Sequence, residues 1–206
     1  MKYLLAVVLA LVVGVVQASP YVRLSGGNST WDSPTADLHS RDNQNLFDDR
    51  DRAAAIAIGK RVSDNFRVEL EYTDFGNTSL AFNDEYETCL FKTFFCHDFN
   101  DEYMTDFEAY GVTGWVVYDV FRADVSENMP LSLNVRGGIS RGSMKAMVND
   151  ASVNDSDAGV AYGLGLDLSV MENLTINASW EQHNFVFDND FDYNPKVAKL
   201  GATWQF

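Results

Sequence analysis

Eight stretches of this chain alternate apolar side chains with small or charged ones, and past residue 18 no apolar run is long enough for a helix to cross a bilayer. They run at 20–27, 52–62, 65–75, 106–122, 131–142, 158–170, 174–187 and 195–206. Period two is the mark of a β-strand, whose successive side chains point to opposite faces. The connections alternate as well. Those at 63–65, 126–130 and 171–173 are tight, whereas 28–51, 76–105, 143–157 and 188–194 are long and polar. An even number of strands with short turns at one end and long loops at the other predicts an all-β, antiparallel, up-and-down sheet.

The two faces of that sheet decide what surrounds it. One face carries a stripe of large apolar residues: Phe66, Val68, Leu70 and Tyr72, then Val160 to Leu168 at every second position, then Leu174, Ile176, Ala178 and Trp180. The last strand continues it with Ala198, Leu200, Ala202, Trp204 and Phe206. The opposite face holds Arg23, Arg67, Glu69, Glu71, Arg136, Asp167, Glu181 and Lys199, with Asn134, Asn177 and the glycines Gly138, Gly163, Gly165 and Gly201. A soluble antiparallel sheet hides its apolar face and shows water a polar one. Here long ions of both signs beside glycines suit the filled interior of a small closed barrel, where they must pair because unpaired buried charge is costly. The expectation is an eight-stranded transmembrane β-barrel with its apolar stripe in lipid. Tyr118, Trp180 and Trp204 are expected at the membrane interfaces. Lys60 and Arg122 fall on the apolar parity, so each should reach out at the rim or mark a bulge.

The first 18 residues are built like a secretory leader: Lys2 supplies a positive charge, Tyr3 to Val16 is apolar, and Val16 and Ala18 are small residues at the positions a signal peptidase reads. A cleaved signal peptide at 1–18 and one barrel domain at 19–206 are expected. In an exported chain, Cys89 and Cys96 favour a local disulfide. A metal site using both with His97 lacks a fourth ligand, so no cofactor or metal is expected. The ring "CLFKTFFC" contains Leu90, Phe91, Phe94 and Phe95, which would either fold back over the barrel mouth or form an interaction tip. In "DNDFDYNP", Asp188, Asp190 and Asp192 have calcium-loop spacing, but Tyr193 and Lys199 stand where such a loop needs glycine and an acid.

Net charge is −15 at pH 7, which excludes nucleic acid as a partner. The four long connections with their flanking residues hold 19 acids and four bases, so they carry the whole imbalance.

The closing "LGATWQF", with Leu200, Trp204 and Phe206 on one parity, resembles the carboxy-terminal signal of bacterial outer-membrane proteins that the barrel-insertion machinery reads. "VELEYTDFG", "GGISRG" and "YGLGLDL" are similar to strand segments of the small outer-membrane barrels of the OmpA membrane domain, OmpX and opacity-protein type. The resemblance spans the mature chain. It implies an outer-membrane location in contact with lipid and lipopolysaccharide, both ends of the barrel chain periplasmic, and acidic loops outside the cell. The role it implies is non-enzymatic: surface interaction, adhesion or colonisation with an envelope-structural part, the partner being a host or neighbouring-cell surface. No peptidoglycan-binding segment follows Phe206, so wall tethering is not expected.

Two alternatives remain open. A narrow or gated pore is one, because Ala53, Ala55, Ala57 and Gly59 could leave a partial void. A lipid A-modifying enzyme is the other. His183 is its best general base, with Glu181 and Ser179 on the same strand face, but Phe185 stands where a lipid A deacylase carries serine; His39 and His97 have no evident nucleophile.

Overall fold

The computed structural model describes residues 19–30, 50–82, 87–90, 95–98, 103–126, 129–148, 151–187 and 191–206. The expected signal peptide at 1–18, His39, Phe91, Phe94, Asp188 and Asp190 lie outside the described residues.

The alternating segments form the strands β1 (Pro20–Thr30), β2 (Arg50–Arg61), β3 (Phe66–Phe82), β6 (Tyr103–Asp124), β7 (Pro130–Val148), β8 (Ala151–Met171), β9 (Leu174–Phe187) and β11 (Lys196–Gln205). Short strands β4 (Glu87–Leu90) and β5 (Phe95–Asp98) make a hairpin of their own, and β10 (Phe191–Tyr193) adds to the end of β9. The eight long strands pair antiparallel in a ring: each pairs with the next, and β11 pairs with both β9 and β1. Tyr21 opposite Gln205 and Thr30 opposite Lys196 bound the closing seam, and the Phe206 amide donates to the Pro20 carbonyl at 3.0 Å. Closure leaves no edge in the membrane-crossing zone, which is what lets a sheet satisfy its backbone in hydrocarbon.

Every apolar stripe residue named above points outward or lies half-buried on the outer wall, with Leu200 at 68% exposure and Phe206 at 71%. The charged face points inward and is buried. Outward aromatics gather at two levels. Phe66 and Tyr118 meet near the short turns at 5.4 Å between ring centroids, and Trp204 lies near the same end. Tyr72 meets Tyr110 at 6.2 Å and Tyr162 meets Trp180 at 6.5 Å nearer the long loops.

Three register shifts interrupt the ladders. One lies between Asp119 and Phe121; it sets Phe121 opposite the outward Leu133 and Arg122 opposite the buried Ser132, so Arg122 turns in toward Asp119 at the short-turn rim and this residue of unexpected parity follows a bulge. A second lies between Ser169 and Met171. The third, between Asp74 and Gly76, keeps Phe75 pointing inward and places Gly76 at φ +84°, a backbone state that suits glycine.

One expected loop is not a loop. The stretch 143–157 continues the β7–β8 ladder as far as Val148 opposite Ala151, because extended segments with a partner keep exchanging backbone hydrogen bonds above the lipid. In the same way β3 and β6 stay paired up to Phe82 opposite Tyr103, well into the expected 76–105 loop. On the outer wall the apolar stripe gives way to Glu108 and Asp106 above Tyr110, to Arg141, Ser143 and Lys145 above Ile139, and to Ala158, Ser156 and Asn154 above Val160. A four-stranded sheet of β3, β6, β7 and β8 therefore runs about eight residues past the apolar band, a rise on the order of 20 Å.

Candidate functional site

The barrel interior concentrates the protein's buried chemistry. In each strand the inward residues are those of one parity, so side chains far apart in sequence converge in the lumen. Arg23 (β1), Arg136 (β7) and Lys199 (β11) meet Glu69 and Glu71 (β3) and Glu181 (β9) in a closed cycle of alternating sign. Arg23 binds Glu69 at 2.6 Å, Glu69 binds Arg136 at 2.5 Å, and Arg136 pairs with Glu181. Glu181 lies 2.7 Å from Lys199, Lys199 lies 2.8 Å from Glu71, and Glu71 returns to Arg23 at 2.8 Å. Three cations and three anions cancel.

Neutral donors complete the carboxylates. The Tyr21 hydroxyl donates to Glu69 at 2.7 Å, the Trp115 indole N–H and the Thr73 hydroxyl to Glu71 at 3.2 Å each, and the Ser179 hydroxyl to Glu181 at 3.1 Å. The Arg136 guanidinium also lies 4.8 Å from the Trp115 ring centroid, a cation–π distance. Buried ions hold their charge only with this degree of pairing and hydrogen bonding.

A second group lies nearer the short turns. Arg67 donates to Asp167 at 2.7 Å and to Asp119 at 3.1 Å, the Asn134 amide donates to Asp167 at 3.0 Å, and Arg122 and Arg61 approach Asp119 from the rim at 3.1 and 3.6 Å. Thus the eight interior ions of the sequence analysis divide six and two, and Asp119 joins the smaller group. Asp119 was legible in principle, since it shares the inward parity of Thr113, Trp115 and Val117 just before the bulge.

Glycines make the room. A Cβ at Gly163 would lie 3.2 Å from Arg136 Cγ and 3.0 Å from Glu181 Cγ, and one at Gly138 would lie 3.0 Å from the Trp115 ring. The space expected beside Ala57 and Gly59 is taken by Tyr21, whose ring comes within 2.3 Å of a Cβ built at Gly59. Side chains rather than a channel occupy this level of the barrel.

Above the ion cycle, His183 is fully buried, stacked on Phe185 at 6.0 Å and edge-on to Phe75 at 5.0 Å and Trp115 at 5.6 Å. Its Nδ1 lies 3.3 Å from the Ser140 hydroxyl and its Nε2 3.8 Å from Glu181. Ser179 donates to Glu181, so the carboxylate stands between serine and histidine. Nucleophilic catalysis needs the imidazole in that middle place. Phe185, like His183, faces the lumen, on the far side of the wall from any acyl chain.

In the β4–β5 hairpin Cys89 stands directly opposite Cys96, and Leu90 opposite Phe95. At the other end of the chain Leu200, Trp204 and Phe206 face outward along the β11 seam.

The outer membrane protein beta-barrel domain family matches residues 3–206. This chain belongs to that family. It is a bacterial outer-membrane protein. Among solved structures it is similar to Neisserial surface protein A, at 15% identity over 92% of this chain and 99% of that one, with a TM-score of 0.57. The N-terminal β-barrel domain of Pseudomonas aeruginosa OprF matches at 14% identity over 92% and 100%, with a TM-score of 0.53. The attachment invasion locus protein Ail of Yersinia pestis, in complex with the heparin analogue sucrose octasulfate, matches at 19% identity over 93% and 100%, with a TM-score of 0.50. At these identities the likeness is one of fold. No curated protein matches the chain.

Proposed function

We propose that this protein is a non-catalytic surface protein that contacts partners outside the cell through the sheet rising beyond the membrane and the acidic loops above it. The carrying observation is the upward extension of β3, β6, β7 and β8 past the last lipid-facing residues. Strands needed only to cross lipid would be about 9–11 residues long; β6, β7 and β8 have 22, 19 and 21. The fold likeness to Ail adds weight to a surface role, but the chemistry here differs from what a sulfated ligand wants. On the raised sheet Asp106 and Glu108 of the outer wall and Asp155 and Asp157 of the inner face stand against only Arg141 and Lys145, and the loops are more acidic still. The partner this surface suits is basic.

The same reading takes residues 1–18 as a cleaved leader and Leu200, Trp204 and Phe206 as the signal read by the barrel-insertion machinery. It leaves lipid modification aside because Glu181 separates Ser179 from His183.

The test is adhesion of cells displaying the protein to host cells and matrix proteins across a salt series. Wild type should bind, weakening as salt rises. A variant carrying Asp106→Asn, Glu108→Gln, Asp155→Asn and Asp157→Asn should lose both the binding and its salt dependence. Equal binding by the variant would overturn the proposal.

A further inference from the structure

Cations are scarce on this protein and unevenly placed. Of its 15 lysines and arginines, Arg23, Arg67, Arg136 and Lys199 are buried in the lumen, while Arg61 and Arg122 lie against Asp119 at the short-turn end. At the long-loop end three others share one small area of outer wall. Thr30 of β1 pairs with Arg50 of β2 on one side and Lys196 of β11 on the other, and Asn28 pairs with Arg52. Two strand spacings set the Arg50 and Lys196 backbones about 10 Å apart, with Arg52 one same-face step, about 7 Å, below Arg50. All three share the outward parity that carries Ile56, Ile58, Leu200 and Trp204 into lipid.

Directly beneath them the outer wall becomes shallow. Gly26 pairs with Ala54, and Ala198 pairs with Asn28, so small residues lead up from the apolar band to the cations. A Cβ at Gly26 would meet nothing closer than the Ala53 carbonyl oxygen at 3.8 Å. At the head of this trough lies an open hollow of about 510 Å³ lined by Asn28, Thr30, Arg50, Asp51 and Arg52. Among the described residues the nearby acids are engaged with backbone. Asp51 accepts from the amides of Arg52 at 2.6 Å and Asn77 at 2.5 Å, and Asp74, diagonal to Arg52 on β3, accepts from the Gly76 amide at 3.0 Å.

We propose that this corner binds the phosphorylated headgroup of an outer-leaflet glycolipid, lipopolysaccharide, with Arg50, Arg52 and Lys196 gathered on a phosphate and one acyl chain lying over Gly26, Ala54 and Ala198. The position selects a lipid ligand, because the cations stand at the upper border of the lipid-facing wall and the trough below them opens into hydrocarbon. Arg50 and Lys196 also make contacts within the protein. A guanidinium has five N–H donors and an ammonium three, so a phosphate can be added to those contacts.

The test uses the refolded protein in phosphatidylcholine nanodiscs containing bisphosphorylated lipid A, with retained lipid read by native mass spectrometry. Wild type should retain lipid A. The variant Arg50→Gln/Arg52→Gln/Lys196→Gln should lose retention by roughly ten- to a hundredfold, each cation near the surface adding its own share. Dephosphorylated lipid A should fall off similarly, and Arg141→Gln/Lys145→Gln, on β7 across the ring from β1, should retain lipid A as wild type does. Folding is read by heat-modifiable gel migration. If the triple variant does not fold, the single variants carry the test, each with a loss of about fivefold. Equal retention by wild type and the charge-removed variants would overturn the proposal, as would equal retention of dephosphorylated lipid A. Release of lipid A by millimolar inorganic phosphate would overturn the lipid assignment in favour of a free-anion site.

Discussion

Lys199 on the last strand reaches across the lumen to Glu71 on the third, with Nζ 2.8 Å from Oε1 although the two stand 128 positions apart in the chain. The same ammonium lies 2.7 Å from Glu181, so it is one of only three cations holding three carboxylates. Lys199→Met removes that charge and leaves two buried acids short of a partner. Unfolding in urea from detergent micelles should show a loss of about 3–5 kcal/mol, the range for breaking one member of a buried ion pair. Arg141→Met on the outer wall should change stability by less than about 0.5 kcal/mol. Similar losses from the two variants would mean that the cycle does not hold the barrel together.

The lumen is filled by pairing long side chains with glycines, and that rule can be tested without touching a charge. A side chain at Gly163 would collide with the Trp180 carbonyl at 2.4 Å and crowd Arg136 and Glu181, whereas a Cβ at Gly137, on the lipid side, would have nothing within 4 Å. Gly163→Val should therefore cut the heat-modifiable, folded fraction severely, while Gly137→Val should fold as wild type. Overpacking costs typically about 1–3 kcal/mol, and the backbone collision puts Gly163 at the upper end.

The architecture was legible because period two writes membrane strands in plain form: the parity of Val160 to Leu168 or of Ala198 to Phe206 states which side faces lipid without any tertiary information. That parity also placed Arg23, Glu69, Arg136 and Lys199 on the inward face. Partner choice was not legible, because it depends on strand stagger around a closed ring, which sets Lys199 beside Glu71 and leaves Arg67 with Asp167 and Asp119. Bulges hid other features: the shift after Asp119 reverses the parity that Arg122 would otherwise follow. The raised ends of β7 and β8 look like a loop in sequence because "SMKAMVNDASVNDSD" has the polarity of a loop, and outside lipid a paired strand has no need of an apolar face.

Cys89 stands opposite Cys96 in the β4–β5 hairpin, the arrangement in which two thiols on neighbouring strands can be joined. Intact mass after alkylation without reductant should show neither cysteine labelled. Closing so short a ring restricts the unfolded chain by about 2–3 kcal/mol, although for an outer loop the effect falls on local opening rather than on the barrel. Cys89→Ser/Cys96→Ser should therefore be cleaved faster by external protease between residues 83 and 102 while its barrel keeps the wild-type melting temperature. Quantitative labelling of both thiols in the wild type would show that they are not joined.

Conduction tests how completely the lumen is filled. Arg136 spans it at the level of the ion cycle, touching Glu69 and Glu181 with its guanidinium and lying over Trp115. With Tyr21 occupying the space beside Gly59, the wild-type barrel should show no steady open state in a planar bilayer. Arg136→Ala removes a side chain that crosses the lumen and leaves Glu69 and Glu181 less neutralised, so any current that appears should be small and cation-selective. Arg136→Lys keeps the charge but not the fork that reaches both carboxylates, and its current should fall between the two. A large, steady current in the wild type would show that water passes around these side chains, and the closed cycle would then be lining a channel.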